Sequence, residues 1–244
     1  MKKDTVLHAS RRTMLKQTLA ISGMMITGAA ALTVPGMSFA ASMSREERDR
    51  MTPDAVIAYL KQGNSRFRTN NSLQHDYIAQ KTTSASGQYP AAVILSCIDS
   101  RAPAEIILDT GIGEIFNSRI AGNISNSDIL GSLEFACASA GAKVILVMGH
   151  TACGAIKGAI DNIELSHLTG LLDKIKPAIV NTNYSGDRVS SNDDFVDAVA
   201  KRNVEMTVQH IREKSQLLKH MEDEKKIKIV GSMYNLQNGS IEFF

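Results

Sequence analysis

Two cysteines and a histidine stand in a pattern that one metal ion could use. His150 and Cys153 lie three residues apart in Gly149-His150-Thr151-Ala152-Cys153-Gly154, close enough to grip an ion from a single turn. Cys97, 53 residues before His150, can supply a third donor. Two thiolates with an imidazole favour zinc, and three protein ligands leave a fourth position open, as catalytic zinc sites do. The residues alone leave other readings open. Buried cysteines are common in cores, a cysteine nucleophile with His150 as its base would use the same side chains, and so would a zinc store or thiol-redox module. Cys137 fits no ligand spacing and reads as a small core residue, and three cysteines cannot all pair in disulfides.

These donors need elements that bring them together. Ala91 to Ser96 and Lys143 to Met148 are short unbroken apolar runs, the signature of strands buried on both faces, and Cys97 and His150 follow them directly. Ile115 to Ile120 and Lys228 to Tyr234 suggest two more strands. Ser240 to Phe244 alternates behind Asn238-Gly239, a hairpin signal. Helices are expected over 51–69, from Ser127 to Gly141, just after Cys153, over about 167–179, and from Asn192 to about Glu222 with Val196, Val199, Val208 and Ile211 inward. The polar stretch 70–88 reads as surface wrapping. Strands alternating with helices predict an α/β fold: a mostly parallel sheet of about four strands plus an antiparallel C-terminal edge strand, with helices on both faces. Ligands bind at the carboxyl ends of such strands, where Cys97 and His150 both fall.

At 244 residues, the chain can build one sizeable core. Its formal charge of +2 comes from the first forty residues, where Lys2, Lys3, Arg11, Arg12 and Lys16 face only Asp4. The remainder is slightly acidic and carries no basic stripe, which argues against nucleic acid as a partner. Ser10-Arg11-Arg12-Thr13-Met14-Leu15-Lys16 is a twin-arginine signature, followed by a modest apolar run and by small residues at Ser38-Phe39-Ala40. The expected organisation is a signal peptide over 1–40, read by the twin-arginine export machinery and cleaved, and a catalytic domain over 41–244. That places the mature protein in the periplasm with no stable membrane span. The apolar run is short for an anchor, which needs ~20 apolar residues.

Cys97-Ile98-Asp99-Ser100-Arg101 and Gly149 to Gly154 together resemble the two signature segments of the β-class carbonic anhydrases. The likeness continues through Phe116 to Asn123, Gly131 to Phe135 and Val230 to Tyr234, most of the chain from about Gln88 onward. It implies a zinc enzyme, one Zn²⁺ per chain, that interconverts carbon dioxide and bicarbonate through zinc-bound hydroxide and works as a dimer or tetramer. It further implies Cys97, His150 and Cys153 as ligands, with Asp99 as an oriented hydrogen-bond acceptor that can also become a fourth zinc ligand. Arg101 would hold Asp99 off the metal, Gln88, Phe116 and Ala121 would meet the substrate, and Gly154 would allow a close backbone approach. Phe135 stands where plant-like members carry tyrosine, and Ile94 where the bicarbonate-inhibited type carries tryptophan, so the likeness is not to that allosteric type. Relatives that hydrolyse carbonyl sulfide or carbon disulfide share the same ligands. His75, His167, His210 and His220 have no motif around them and read as surface or capping groups.

Replacing Arg11 and Arg12 by Lys is expected to leave the precursor in the cytoplasm. Fractionation that still finds it in the periplasm would point to the general secretory route instead.

Overall fold

The structure, a computed structural model, describes residues 41–244; the expected signal segment 1–40 lies outside them. The sheet has five strands in the order β2-β1-β3-β4-β5: β1 (Ala92–Ser96), β2 (Ile115–Arg119), β3 (Val144–His150), β4 (Lys228–Tyr234) and β5 (Ile241–Phe243). The first four run parallel and β5 is antiparallel to β4, as the apolar runs and the terminal hairpin signal predict. Every residue of β1 and β3 is buried. With both faces covered by helices there is no solvent side to demand alternating polar residues, hence the continuous apolar runs.

The helices are α1 (Arg45–Arg50), α2 (Pro53–Arg68), α3 (Tyr77–Ser84), α4 (Ala104–Ile107), α5 (Ser127–Glu134), α6 (Gly154–Ile160), α7 (Ser166–Leu172), α8 (Lys176–Val180), α9 (Asp193–Lys214) and α10 (Gln216–Asp223). Ser44, Thr52, Asp76, Asn126 and Asn192 each accept a first-turn backbone N–H with a side-chain oxygen, which fixes where their helices begin. From α5 the chain continues as a wider turn over Phe135–Ser139. Among the described residues no helix is long and apolar enough to cross a membrane.

Three expectations need correction. The helix expected over 167–179 is two helices, because Pro177 cannot donate into a preceding turn and instead sits in the first turn of α8. The long helix expected to reach Glu222 breaks at Ser215, whose extended backbone ends α9 and whose Oγ accepts from Leu218 N–H to start α10. Ser215 Oγ also lies 2.5 Å from Glu134, 81 residues earlier, a partner that no local pattern reveals. The stretch 70–88 holds α3, and His75 is no surface group there. Its Nε2 lies 3.1 Å from Asp109 Oδ1, and Asp109 also takes Arg66 and the Leu73 N–H, tying the segment to the body.

The helix α9 lies across β3 and β4 and buries Phe195, Val196, Val199, Val204, Val208 and Ile211. Each such side chain contributes about 1.5–3 kcal/mol by leaving water. The approach is so close that a Cβ on Gly149 would stand 2.6 Å from Val204 Cγ2. The residue next to His150 is therefore glycine because α9 seats on the strand there, and that contact fixes the end of β3 that carries the histidine.

On the opposite side, Asn64 of α2 is 4% exposed and joins three elements. Its Nδ2 donates to Ile107 and Gly239 carbonyls and its Oδ1 accepts from Ile241 N–H. Asn64→Ala would leave those backbone groups without partners, and is expected to lower stability by about 2–4 kcal/mol in denaturant titrations. A loss below ~1 kcal/mol would mean the groups find other partners.

Candidate metal centre

The parallel register does most of the positioning. Ser96 of β1 pairs with Met148 of β3, so Cys97 and His150 leave the sheet side by side at its carboxyl edge. The chain turns through Thr151 and Ala152, and Cys153 then stands at the N-cap of α6. One donor atom from each of Cys97, His150 and Cys153 lies within 4.8 Å of the others, and all three residues are buried. No disulfide closes the pair; the three cysteines are free.

Four observations fit a bound zinc ion. The two sulfurs are 4.0 Å apart, and two thiolates at zinc–sulfur distances in a tetrahedral site would be separated by about 3.8 Å. His150 Nδ1 lies 2.9 Å from the Thr151 carbonyl and so carries the proton it donates there. The other nitrogen, Nε2, is buried without a hydrogen-bond partner, an arrangement that costs free energy unless something accepts its lone pair. Finally, two thiolates and a neutral imidazole balance the charge of a divalent ion.

The donors share their charge unevenly. Sharing a hydrogen bond with Cys153 lowers the Cys97 thiol to about 4 against the opposing effect of burial, with help from His150 and the Gly122 N–H. Cys153 is pushed up because Cys97 takes the charge first and because it is buried. Burial pulls His150 down, but its contacts with the Cys97 thiolate outweigh that and raise it overall. The pocket thus holds a negative charge that pulls cationic character toward it.

Asp99 and Arg101 sit at the rim. Arg101 grips the carboxylate in a fork, Nε to Oδ1 at 2.9 Å and Nη2 to Oδ2 at 2.7 Å, and its backbone N–H adds a third bond at 2.9 Å. This grip, opposed by partial burial, holds the Asp99 carboxyl at about 2. Asp99 Oδ2 nevertheless lies 3.8 Å from His150 Nε2. It is next to the three donors and outside their cluster, turned to the arginine.

Further residues, not singled out in the sequence as site residues, hold the loops. Arg119 Nε donates to the Cys97 carbonyl at 2.9 Å and its Nη2 to the Asp99 carbonyl at 2.5 Å, fixing the Cys97–Arg101 turn from the neighbouring strand. Gly122 points its N–H at Cys97 Sγ, 3.4 Å away, with φ of 67°, and a Cβ there would meet Ile175 Cδ1 at 2.6 Å. Asp197 of α9 accepts the Ala152 N–H at 2.8 Å, securing a non-glycine residue at φ 50° between two ligands. Arg119 and Gly122 fall within the Phe116 to Asn123 stretch that carries the resemblance, whereas no local motif marks Asp197.

The remaining expected contacts are placed as follows. Ala121 adjoins Gly122 in the turn against Cys97. Gln88 is exposed in the loop before β1. Phe116 pairs with Val93, four residues before Cys97, hence ~13 Å back along the strand. It packs edge-on against Phe135 at 6.1 Å, so one chain alone does not bring it to the donors. Gly154 is exposed, and a Cβ there would meet no atom of the chain within 4 Å.

Residues 92–241 match the carbonic anhydrase family. "Carbonic anhydrase 2" of Mycobacterium tuberculosis is 34% identical over 194 residues, 77% of this chain and 90% of that protein. A carbonic anhydrase of Mycolicibacterium smegmatis is 30% identical over 78% of this chain and 92% of its own. Among solved structures, one from the study of two tetrameric β-carbonic anhydrases of Sordaria macrospora superposes with a TM-score of 0.60 at 25% identity, over 78% of this chain and 92% of that one. With this fold and this cysteine–histidine–cysteine group, the chain belongs to the carbonic anhydrases, in their β class.

The purified protein is expected to carry about one zinc per chain, and Cys97→Ser, His150→Ala and Cys153→Ser each to bring that near zero by elemental analysis. Full occupancy in any of them would remove that residue from the ligand set.

Proposed function

We propose that this chain catalyses the reversible hydration of carbon dioxide to bicarbonate and a proton, with Cys97, His150 and Cys153 holding the zinc ion and Asp99 and Arg101 managing the reacting water. The observation that carries this reading is the buried, partnerless His150 Nε2 facing two cysteine sulfurs, with an ionised carboxylate 3.8 Å away. Zinc bound there supplies a Lewis acid that makes a coordinated water acidic near neutral pH.

The chain's own groups do the rest. The Nδ1–H bond to Thr151 fixes the ring plane of His150 and leaves Nε2 facing the two sulfurs. Asp99, held ionised by Arg101, can only accept a hydrogen bond; it takes one from the reacting water and leaves that oxygen's lone pair directed at the carbon of the substrate. The N-terminus of α6 faces Cys153, where backbone N–H groups of Ala155 and Ile156 favour its thiolate. Burial of all three donors keeps bulk water from competing for them.

Two further elements of the proposal rest on less local features. The exposed Ile106 and Phe135 lie beside the open β2 edge, and a second copy covering that edge would bring Gln88 and Phe116 of one chain toward the donors of the other. A dimer or tetramer is thus the proposed active form; the Sordaria structures described as tetrameric favour it. The Arg11-Arg12 motif and the small residues at 38–40 support twin-arginine export and a periplasmic location.

Stopped-flow hydration of carbon dioxide by the zinc-loaded protein, with the carbonyl sulfide rate measured alongside, tests the activity. Faster turnover of carbonyl sulfide would reassign the substrate. Asp99→Ala is expected to bind zinc and lose about a hundredfold in hydration rate. Arg101→Ala is expected to lose most activity for a different reason: the freed carboxylate turns to the open ligand position, which a zinc-edge X-ray absorption spectrum would register. An Arg101→Ala protein with full activity and an unchanged spectrum would reduce the pair to a surface salt bridge.

A further inference from the structure

A cavity lies between the start of α5, the helix α8 and the C-terminal half of α9. It has a volume of about 640 Å³, within the ~300–1,000 Å³ common for small-molecule sites. Its floor is apolar, formed by Ile124, Leu130, Ala178 and Met206. At its rim stand Lys174, Lys214 and His210, and no aspartate or glutamate lines it.

The charges converge without being spent. Among the described residues, neither the Lys174 nor the Lys214 side chain makes an ion pair or hydrogen bond, unlike Lys157, Lys176, Lys201, Lys219, Lys226 and Lys228. Both lysines act on His210, which burial and their positive fields hold below its ordinary pKa. His210 is therefore a neutral hydrogen-bonding group at neutral pH, engaged at Nδ1 by Ser125 Oγ at 2.7 Å. The nearby acid, Glu213, is bound by Gln209 at 2.9 Å and lines the adjoining groove instead. An apolar floor favours a hydrocarbon body, and two unpaired ammonium groups at the rim favour a negative head. A cationic ligand would meet like charge, and an inorganic anion would leave the floor uncovered.

The geometry points to a binding site for a small carboxylate with an apolar body, its hydrocarbon on Ile124, Leu130 and Met206 and its carboxylate between Lys174 and Lys214. The site is separate from the three metal donors. Asn203, which lines it, donates to the Gly122 carbonyl at 2.7 Å, and Gly122 in turn directs its N–H to Cys97.

The test is a titration of the zinc-loaded protein with hexanoate, hexylammonium, 1-hexanol and inorganic phosphate. The readout is the ¹³C-methyl NMR signal of Met206, assigned with Met206→Leu. Hexanoate is expected to shift that signal saturably, and the double variant Lys174→Gln/Lys214→Gln to weaken binding by about tenfold. Both lysines are exposed, so the variant keeps its fold, which the unchanged remainder of the spectrum checks. Hexylammonium and phosphate are expected to leave Met206 unmoved. The proposal fails if hexanoate shifts only residues at the metal centre, if the double variant binds hexanoate equally well, or if 1-hexanol or phosphate binds as tightly.

Discussion

The parallel pairing of β1 with β3 is the constraint on which the rest of this structure depends. It brings Cys97 and His150, 53 residues apart in sequence, to adjacent positions at one edge of the sheet. Once both are buried there with Cys153, three donor atoms face one point, an arrangement that a metal ion satisfies. A sulfur pair 4.0 Å apart shares a negative charge, and an imidazole nitrogen has lost water without gaining a partner. Leaving a buried polar atom so exposed to its own desolvation costs about 1–3 kcal/mol. A fold tolerates such atoms where a ligand engages them, and the donors that burial penalises are the ones that give a metal ion its affinity.

Holding three donors at one point requires rigid loops, and the loops here are rigid because other elements grip their backbone. Arg119 holds two carbonyls of the Cys97–Arg101 turn from β2, Gly122 approaches Cys97 from the turn after β2, and Asp197 holds the Ala152 N–H from α9. The helix α9 can reach because Gly149 presents no side chain to Val204. Each brace comes from a different part of the chain, so the centre is a product of the whole sheet-and-helix assembly. The Asp99–Arg101 fork differs in kind. It lies at the rim, with the Arg101 side chain 57% exposed, and its contribution to stability is small by the usual measure of solvent-facing ion pairs. Its value is directional, since it fixes which way a carboxylate 3.8 Å from a ligand nitrogen faces.

The chain puts polar groups to contrasting uses away from the centre. Asn64 is fully satisfied and ties α2 to α4 and the C-terminal hairpin. Asp109, at φ 48°, gathers Arg66, His75 and a backbone N–H into a buried knot that anchors the segment before α3. Lys174 and Lys214 make no such contacts and face an apolar cleft.

How much of this the sequence determined by itself depends on the range of the interaction. Apolar runs reported β1 and β3 because complete burial on both faces leaves a local imprint. The helix start at Asn192 was legible for the same reason, since the signals that open a helix lie within its first turn. The Cys97–Arg101 and His150–Cys153 segments pointed to the donor set and the fork through their resemblance to the β-class signature segments, whereas their spacing alone left other readings open. Only the tertiary structure decided what depends on distant partners. Ser215 ends α9 while bonding Glu134, His75 is buried because Asp109 lies across from it, Arg119 and Asp197 brace loops they do not adjoin, and Phe116 lies far from the donors of its own chain. For these braces the partner is between 20 and 81 residues away, and packing in three dimensions, not local composition, selects it.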